Sequence, residues 1–197
     1  MVVVDPSITA TTERLLIRPL RMEDAEDVML MRSQPEIMKH TPLLPSADVE
    51  VSKAWVQGCL DRENCWNFVV ELRHSSPSTT GTAPRVIGMV GAVRAPEVGY
   101  MFNIDYWGRG YATEALRAFM PLFFNHFSGG ANEMYEYAEA LTDPELVASQ
   151  NVLGKVGFQL HEKKEKDFDN PVLGLRDTLV YRLYRTDVKP DVRKAAV

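Results

Sequence analysis

The period of the apolar residues changes abruptly at Trp107-Gly108-Arg109-Gly110, and that switch constrains the fold more than any other feature of the chain. Before it, Val98, Tyr100, Phe102 and Ile104 recur at every second position, the pattern of a half-buried strand. After it, Ala112, Ala115, Leu116, Phe119, Leu122, Phe123 and Phe127 recur at three- and four-residue spacing, so one face of a helix is apolar. A strand is therefore expected to enter a helix through a turn with glycine on both sides of Arg109. The helix should begin near Gly110, where its first amides have no intrahelical acceptor and point along the positive end of the helix dipole. Glycine at 108 and 110 removes the Cβ atoms that would stop the backbone closing around an oxygen-rich group, so the turn suits a phosphate. Each amide-to-phosphate hydrogen bond contributes about 1.5–3 kcal/mol, and several together dominate the binding of a cofactor.

Two other phosphate-binding turns fit less well. A P-loop requires Gly-Lys-Ser or Gly-Lys-Thr after a longer glycine loop, and neither is present. A dinucleotide turn wants glycine or alanine where Thr113 stands, inside strand-helix-strand repeats that the chain lacks. An ordinary strand-to-helix turn remains the alternative on these residues alone.

Trp107-Gly108-Arg109-Gly110-Tyr111-Ala112 resembles the acetyl-CoA loop of the GNAT superfamily of N-acetyltransferases, whose general pattern is Gln/Arg-x-x-Gly-x-Gly/Ala. The longer form, Gly99-Tyr100 followed by Trp107-Gly108-Arg109-Gly110-Tyr111-Ala112-Thr113-Glu114-Ala115, is similar to the branch of RimJ/RimL-like ribosomal-protein N-terminal acetyltransferases. Glu13-Arg14-Leu15-Leu16-Ile17-Arg18-Pro19-Leu20 resembles that branch's opening strand. Ala148-Ser149, Val152-Leu153, Lys155 and Gly157-Phe158 resemble its late helix and exit turn. The three motifs stand in the family's order over roughly residues 13–185. The resemblance implies one domain of α/β (α+β) class, with a mixed, mostly antiparallel sheet of about seven strands and about four helices on both faces.

Composition agrees with a single enzyme domain. A chain of 197 residues buries roughly 70% of its unfolded surface, and its 45% apolar content supports a real core. The net charge of −5 offers no basic stripe to displace counterions, which argues against a nucleic-acid partner. Cys59 and Cys65 are the only cysteines, their spacing matches no metal or redox motif, and a reducing cytoplasm is expected. His40, His74, His126 and His161 lack ligand spacing, so no metal is expected. The opening Met1-Val2-Val3-Val4 is too short and lacks the basic flank of a signal peptide, and no apolar run reaches membrane-spanning length.

Read coarsely, residues 1–12 form an N-terminal extension, 13–185 the domain and 186–197 a tail. Strands are expected at 14–20, 66–72, 86–93, 97–104, 134–141, 158–166 and 178–184. Helices are expected at 23–32, 47–61, from Gly110 onward, and from Asp143 to Gly157 with Thr142 and Glu145 at capping-box spacing. Pro121 predicts a kink in the helix after the loop. Residues 74–85, rich in Ser, Thr, Pro and Gly, read as a mobile hairpin insertion.

An amine attacks a thioester only when neutral, so a site for acetyl transfer must remove a proton, polarise a carbonyl and stabilise the leaving sulfur. Glu97, ten positions before Trp107, is the candidate base, on the resemblance to members with a glutamate on that strand. A solvated strand-edge glutamate is the alternative. The resemblance places Met101, Phe102 and Asn103 where the strand's backbone pairs with pantetheine as though the cofactor were an added strand. It places the amides of Gly108, Arg109, Gly110, Tyr111, Ala112 and Thr113 around the pyrophosphate, with the Arg109 side chain free to reach a phosphate or solvent. Trp107 suits the RimJ/RimL-like branch or simply packs. Ser149 shares a face with Val152, Leu153 and Val156, and in that branch a serine here serves the thiolate; a core serine bonded to its own helix is the alternative. Two departures stand out: Leu146 replaces the branch's asparagine, and Leu153 replaces the tyrosine acid of other members.

The acceptor cleft is expected between residues 34–45 and a late loop at 167–176. Freeing an α-amine of pKa about 8 at pH 7 costs about 1.4 kcal/mol, against about 4.6 for lysine near 10.4. With one candidate base, an α-amine or similarly weak amine is favoured, with acetyl-CoA as donor and coenzyme A as product. A binding module of the same fold that senses acyl-CoA without turnover is the alternative. Monomer and homodimer both stay open.

Overall fold

The computed structural model describes residues 7–73, 85–129 and 133–187. The Met1-Val4 segment, residues 74–84 of the insertion and the tail from 188 lie outside them. Within the described residues eight strands form one sheet: β1 (Ala10–Thr11), β2 (Leu15–Pro19), β3 (Trp66–Leu72), β4 (Val86–Arg94), β5 (Glu97–Phe102), β6 (Tyr137–Thr142), β7 (Gln159–Asn170) and β8 (Gly174–Tyr184). Their order across the sheet is β1-β2-β3-β4-β5-β6-β8-β7. Every neighbouring pair is antiparallel except β5 and β6. Five α-helices accompany it: α1 (Ala25–Arg32), α2 (Pro35–Met38), α3 (Val49–Asp61), α4 (Tyr111–His126) and α5 (Val147–Val156).

The α/β class with one mixed central sheet agrees with the sequence. The eighth strand is β1, whose two residues pair with Ile17 and Leu16. A dipeptide carries no periodicity, so the sheet begins inside the stretch read as an extension. The fifth helix, α2, is a single turn within the 34–45 connector, started by Pro35 at its first position.

The strands alternate in what they bury. Val98 and Phe102 of β5 join Leu15, Ile17, Trp66 and Phe68 in the core beneath Leu116, Phe119 and Phe123 of α4 and Leu153 of α5. Val69, Met89 and, at its margin, Met101 face the other way, against Val28 and Met31 of α1 and Val56 and Cys59 of α3. The two faces of β5 therefore belong to different cores. Helix α4 runs unbroken through Pro121.

Three boundaries moved from their expected places. Helix α5 begins at Val147, because Asp143 turns its carboxylate to the Glu145 amide at 2.7 Å and to Arg176. Thr142 remains in β6, so the capping box does not form. Gly157, at φ 113°, ends α5 as expected. The late loop at 167–176 is mostly strand, since β7 and β8 pair as far as Asn170 and Gly174 around a short turn. Their charged exposed residues hide the pairing from an apolar-period reading. Lastly, Ile104 leaves β5 for a 3-10 turn that Asn103 caps, its Oδ1 accepting the Asp105 amide at 3.1 Å.

Candidate active site

The loop between β5 and α4 is shaped by two left-handed glycines, Gly108 at φ 72° and Gly110 at φ 80°. A side chain at either position is strained by that backbone. Space is not the reason: a Cβ on Gly108 would meet nothing within 4 Å, and one on Gly110 only Arg14 Nη2 at 3.5 Å. Both positions face open space. Glu114 is the first amide to find an acceptor in α4, donating to Gly110 O at 3.0 Å. The amides before it, through Tyr111, Ala112 and Thr113, head the helix without intrahelical partners. An open cradle at the positive end of a sixteen-residue helix fits the diphosphate of coenzyme A.

The loop is braced from a distant part of the chain. Arg14, at the foot of β2, donates from Nε to Glu114 Oε2 at 2.7 Å and from Nη1 to Arg109 O at 3.0 Å. Thr12 Oγ1 donates to Glu114 Oε1 at 2.5 Å. The Arg14 guanidinium also lies over the Tyr111 ring, 4.6 Å from its centroid. The Arg109 side chain is exposed, with its guanidinium 5.7 Å from the Tyr106 ring centroid.

Trp107 closes the end of β5. Its indole Nε1 donates to Phe102 O at 2.7 Å while its ring stays 46% exposed. Of Met101, Phe102 and Asn103, only Phe102 keeps the edge expected of it; the expectation for Met101 and Asn103 needs correction. The Asn103 amide donates to Ile87 O at 3.0 Å, and Met101 stands opposite Met89 in the β4 register. The alternation of an antiparallel ladder then spends the main-chain groups of both on β4 and turns those of Tyr100 and Phe102 to the opposite edge.

That edge is open. The register of β5 with β6 consists of one pair, Glu97 opposite Glu139, held by the Glu139 amide on Pro96 O at 3.0 Å. Beyond it no further pair joins the two strands, and the β5 edge at Tyr100 and Phe102, whose carbonyl holds the Trp107 indole, borders the opening. Glu97 stands at its closed end, 24% exposed, accepting from Arg94 Nη2 at 2.8 Å. Glu139 points to the same face and accepts from Arg182 Nε at 2.8 Å. Sequence reading missed Glu139, because only pairing across forty residues of chain sets it beside Glu97.

Ser149 of α5 has a partner that the sequence did not assign. Tyr100 Oη lies 2.8 Å from Ser149 Oγ and 3.2 Å from Ser149 O. Burial pushes the Tyr100 phenol up to about 12, against the opposing hydrogen bond to Ser149, so it is protonated at neutral pH. Tyr100 and Ser149 stand on the α4 and α5 side of the sheet, Glu97 and Glu139 on the other. The two candidate catalytic residues thus flank the opening from opposite faces and do not form one cluster.

The connector and the β7–β8 hairpin meet. Asn170 Nδ2 donates to Lys39 O at 3.0 Å and Thr41 O at 3.3 Å, and its Oδ1 accepts the Val172 and Leu173 amides. Asp143, at the end of β6, takes two hydrogen bonds from Arg176 at 2.8 and 3.0 Å and faces His40 Nδ1 at 3.4 Å. The Arg176 guanidinium holds the Asp143 carboxyl down at about 2. From the connector, Gln34 Oε1 accepts the Ile104 amide at 3.2 Å. Among the described residues no group of three His, Cys, Asp or Glu could hold a metal ion, and no helix is long and apolar enough to cross a membrane.

One mixed sheet covered on both faces, with a glycine turn leading from its single parallel pair into the next helix, agrees with an acetyltransferase of the GNAT class. The chain belongs to that family: the acetyltransferase (GNAT) domain matches residues 14–159. It is 25% identical over 185 residues to an N-acetyltransferase, p20, of Bacillus licheniformis, across 91% of this chain and 97% of that one. Its fold superposes on the structure of Mycobacterium smegmatis RimJ in complex with CoA-disulfide with a TM-score of 0.75, at 20% identity over 94% of this chain and 91% of that one. The ribosomal-protein-S5-alanine acetyltransferase of Vibrio fischeri gives a TM-score of 0.72 at 19% identity, over 93% and 100%.

Proposed function

We propose that this acetyltransferase moves the acetyl group of acetyl-CoA to a primary amine, and that the acceptor is a protein or peptide N-terminal α-amine or a small, weakly basic amine. It acts in the cytoplasm, as a member of the RimJ/RimL-like branch. The observation that carries the reading is the opening beyond the single Glu97–Glu139 pair, with the β5 edge turned into it, carboxylates on one face and hydroxyls on the other.

The amides of Gly108 to Thr113 hold the diphosphate, and the open edge at Tyr100 and Phe102 aligns the pantetheine arm. When bound, acetyl-CoA supplies an activated acetyl group and a thiolate leaving group. Glu97 accepts the proton that an arriving ammonium must lose, directly or through water, and Glu139 adds negative charge that attracts the cation. Tyr100 at about 12 is too weak an acid to surrender its proton to a thiolate whose conjugate acid lies near an ordinary thiol's value of about 8.5. Ser149, weaker still, has the same limit. Both act by hydrogen bonding: with the Tyr100 proton shared between Ser149 O and Oγ, the Ser149 proton points at the sulfur as charge gathers there. Leu153, fully buried, takes no part.

The connector at 34–45 and the β7–β8 hairpin form the acceptor wall. The cost of freeing lysine at neutral pH, about 3 kcal/mol more than for an α-amine, favours the weaker amine. Calorimetric titration with acetyl-CoA, followed by a free-thiol assay over peptides and small amines, tests the reading. Thiol release fastest with α-amines is the expected result. Faster turnover of lysine side chains than of every α-amine rejects the acceptor, and tight binding without turnover of any amine leaves the acyl-CoA sensor.

A further inference from the structure

Four strands end together beside the opening. β5 and β6 run parallel, β8 runs against β6 and β7 against β8, so Phe102, Thr142, Gly174 and Asn170 stand at one end of the sheet. The Glu97–Glu139 pair closes the opening from the far end. Residues 34–41 cross the open end as a strap. Gln34 Oε1 accepts the Ile104 amide just past β5, His40 Nδ1 faces Asp143 just past β6, and Lys39 O and Thr41 O accept from Asn170 at the end of β7.

Asn170 joins the strap to the hairpin. It is 2% exposed, and its whole hydrogen-bonding capacity is spent: Nδ2 gives its two protons to the connector carbonyls, and Oδ1 takes the Val172 and Leu173 amides of the β7–β8 turn. Pulling the strap away would leave a buried amide half-satisfied, so strap and hairpin hold together as one wall. Arg176 and Arg182 of β8 bond Asp143 and Glu139, which sets these two carboxylates on one face of the sheet. Four residues of β6 separate them, so at roughly 3.3 Å per residue the strap lies about 13 Å from the carboxylates at the closed end.

We propose that Asn170 is a positioning residue for a peptide acceptor, clamping the 34–41 strap across the open end so that it bears on the acceptor chain several residues behind the reacting amine. A compact amine seated at Glu97 stops short of the strap. An extended peptide with its N-terminus there passes under the strap at about its fourth residue, since extended chain spans roughly 3.3–3.6 Å per residue. The clamp therefore acts on the binding of long acceptors and leaves the chemical step and the cofactor alone. This inference rests on the acetyl-transfer reading and narrows its acceptor to a peptide.

Asn170→Asp in the full chain tests it. The variant keeps an oxygen for the Val172 and Leu173 amides but has no proton for Lys39 O or Thr41 O, so it frees the strap and spares the turn. Limited trypsin cleavage after the exposed Lys39 reads the strap without any acetyl transfer, and should quicken about tenfold with two hydrogen bonds lost. Hexapeptides with free N-termini and the amides of their first residues are the acceptor probes. The KM of the hexapeptides should rise about tenfold, with kcat, the KM of the single-residue amides and the acetyl-CoA dissociation constant each within about twofold of the parent. If the variant does not fold, Gln34→Leu frees the strap at β5 and carries the same expectation. Cleavage at the parent rate overturns the clamp. An unchanged KM for the hexapeptides, an equal rise for hexapeptides and amides, or a loss of acetyl-CoA affinity overturns the role in acceptor binding. A parent chain that acetylates no amine rejects the acetyl-transfer reading and the acceptor role with it, while the cleavage rate still decides the clamp.

Discussion

Arg14 and Glu114, 100 positions apart, join at 2.6 Å between Nη2 and Oε2, and the loop between Trp107 and Tyr111 hangs on that contact through Arg109 O. The first turn of α4 is thereby tied to the foot of β2 before any ligand arrives. Preorganised amides bind an anion without first being ordered, which lowers the cost of binding.

Gly110→Ala tests the cradle. A left-handed alanine costs about 1–2 kcal/mol, and the strain falls on the turn that supplies the amides. Acetyl-CoA affinity is expected to drop about tenfold with little change in far-UV dichroism. Calorimetry measures it; unaltered affinity removes the loop from the cofactor site.

The proposed mechanism has Tyr100 act through Ser149, so their losses should overlap. Ser149→Ala removes a hydrogen bond to a developing charge, worth about 1.5–3 kcal/mol, and should lower kcat by about 10- to 100-fold. Tyr100→Phe removes a neutral bond of about 0.5–1.5 kcal/mol and should cost about 3- to 10-fold. The double variant should be no slower than Ser149→Ala alone. Fully multiplicative losses mean that the two hydroxyls work apart.

Glu97→Gln is expected to reduce turnover at least about tenfold, within the range of general base catalysis, while the acetyl-CoA dissociation constant changes less than about twofold. Glu139→Gln should cost less, because its partner Arg182 is half-buried and holds the carboxylate more firmly than the exposed Arg94 holds Glu97. Steady-state rates in which Glu139→Gln is the slower variant transfer the base to β6.

Asp143 links stability to pH. Its folded-state pKa of about 2 lies below the ordinary value near 3.8, so its contribution is fully present above about pH 4 and is lost as pH falls through 2. Asp143→Asn should lose roughly 2 kcal/mol at pH 7, and the gap from the parent should close as pH approaches 2. Urea melts from pH 7 to pH 2 measure it. A gap that persists at pH 2 assigns the loss to packing.

The sequence displayed the fold through its alternations. The period change at Gly108 and Gly110 located β5, the loop and α4 within a residue or two, because a helix face and a strand face leave different apolar spacings. It concealed whatever depends on pairing between distant segments. Glu139 sits by Glu97 only through the parallel bridge, and Arg14 meets Glu114 only once β2 lies under α4. Met101 and Asn103 were assigned outward main-chain groups because parity relative to β4 is fixed by the register, which β5 alone does not encode. The reach of β7 and β8 to Asn170 was hidden because the hairpin's charged residues leave no apolar alternation to read.

A lone residue pair stitching β5 to β6 makes the sheet two leaves bound along one spine, with α4 and α5 as the binding. A thioester arm lying along that spine would replace the missing rungs, so the ligand serves as a temporary beam of the building as well as a reagent within it.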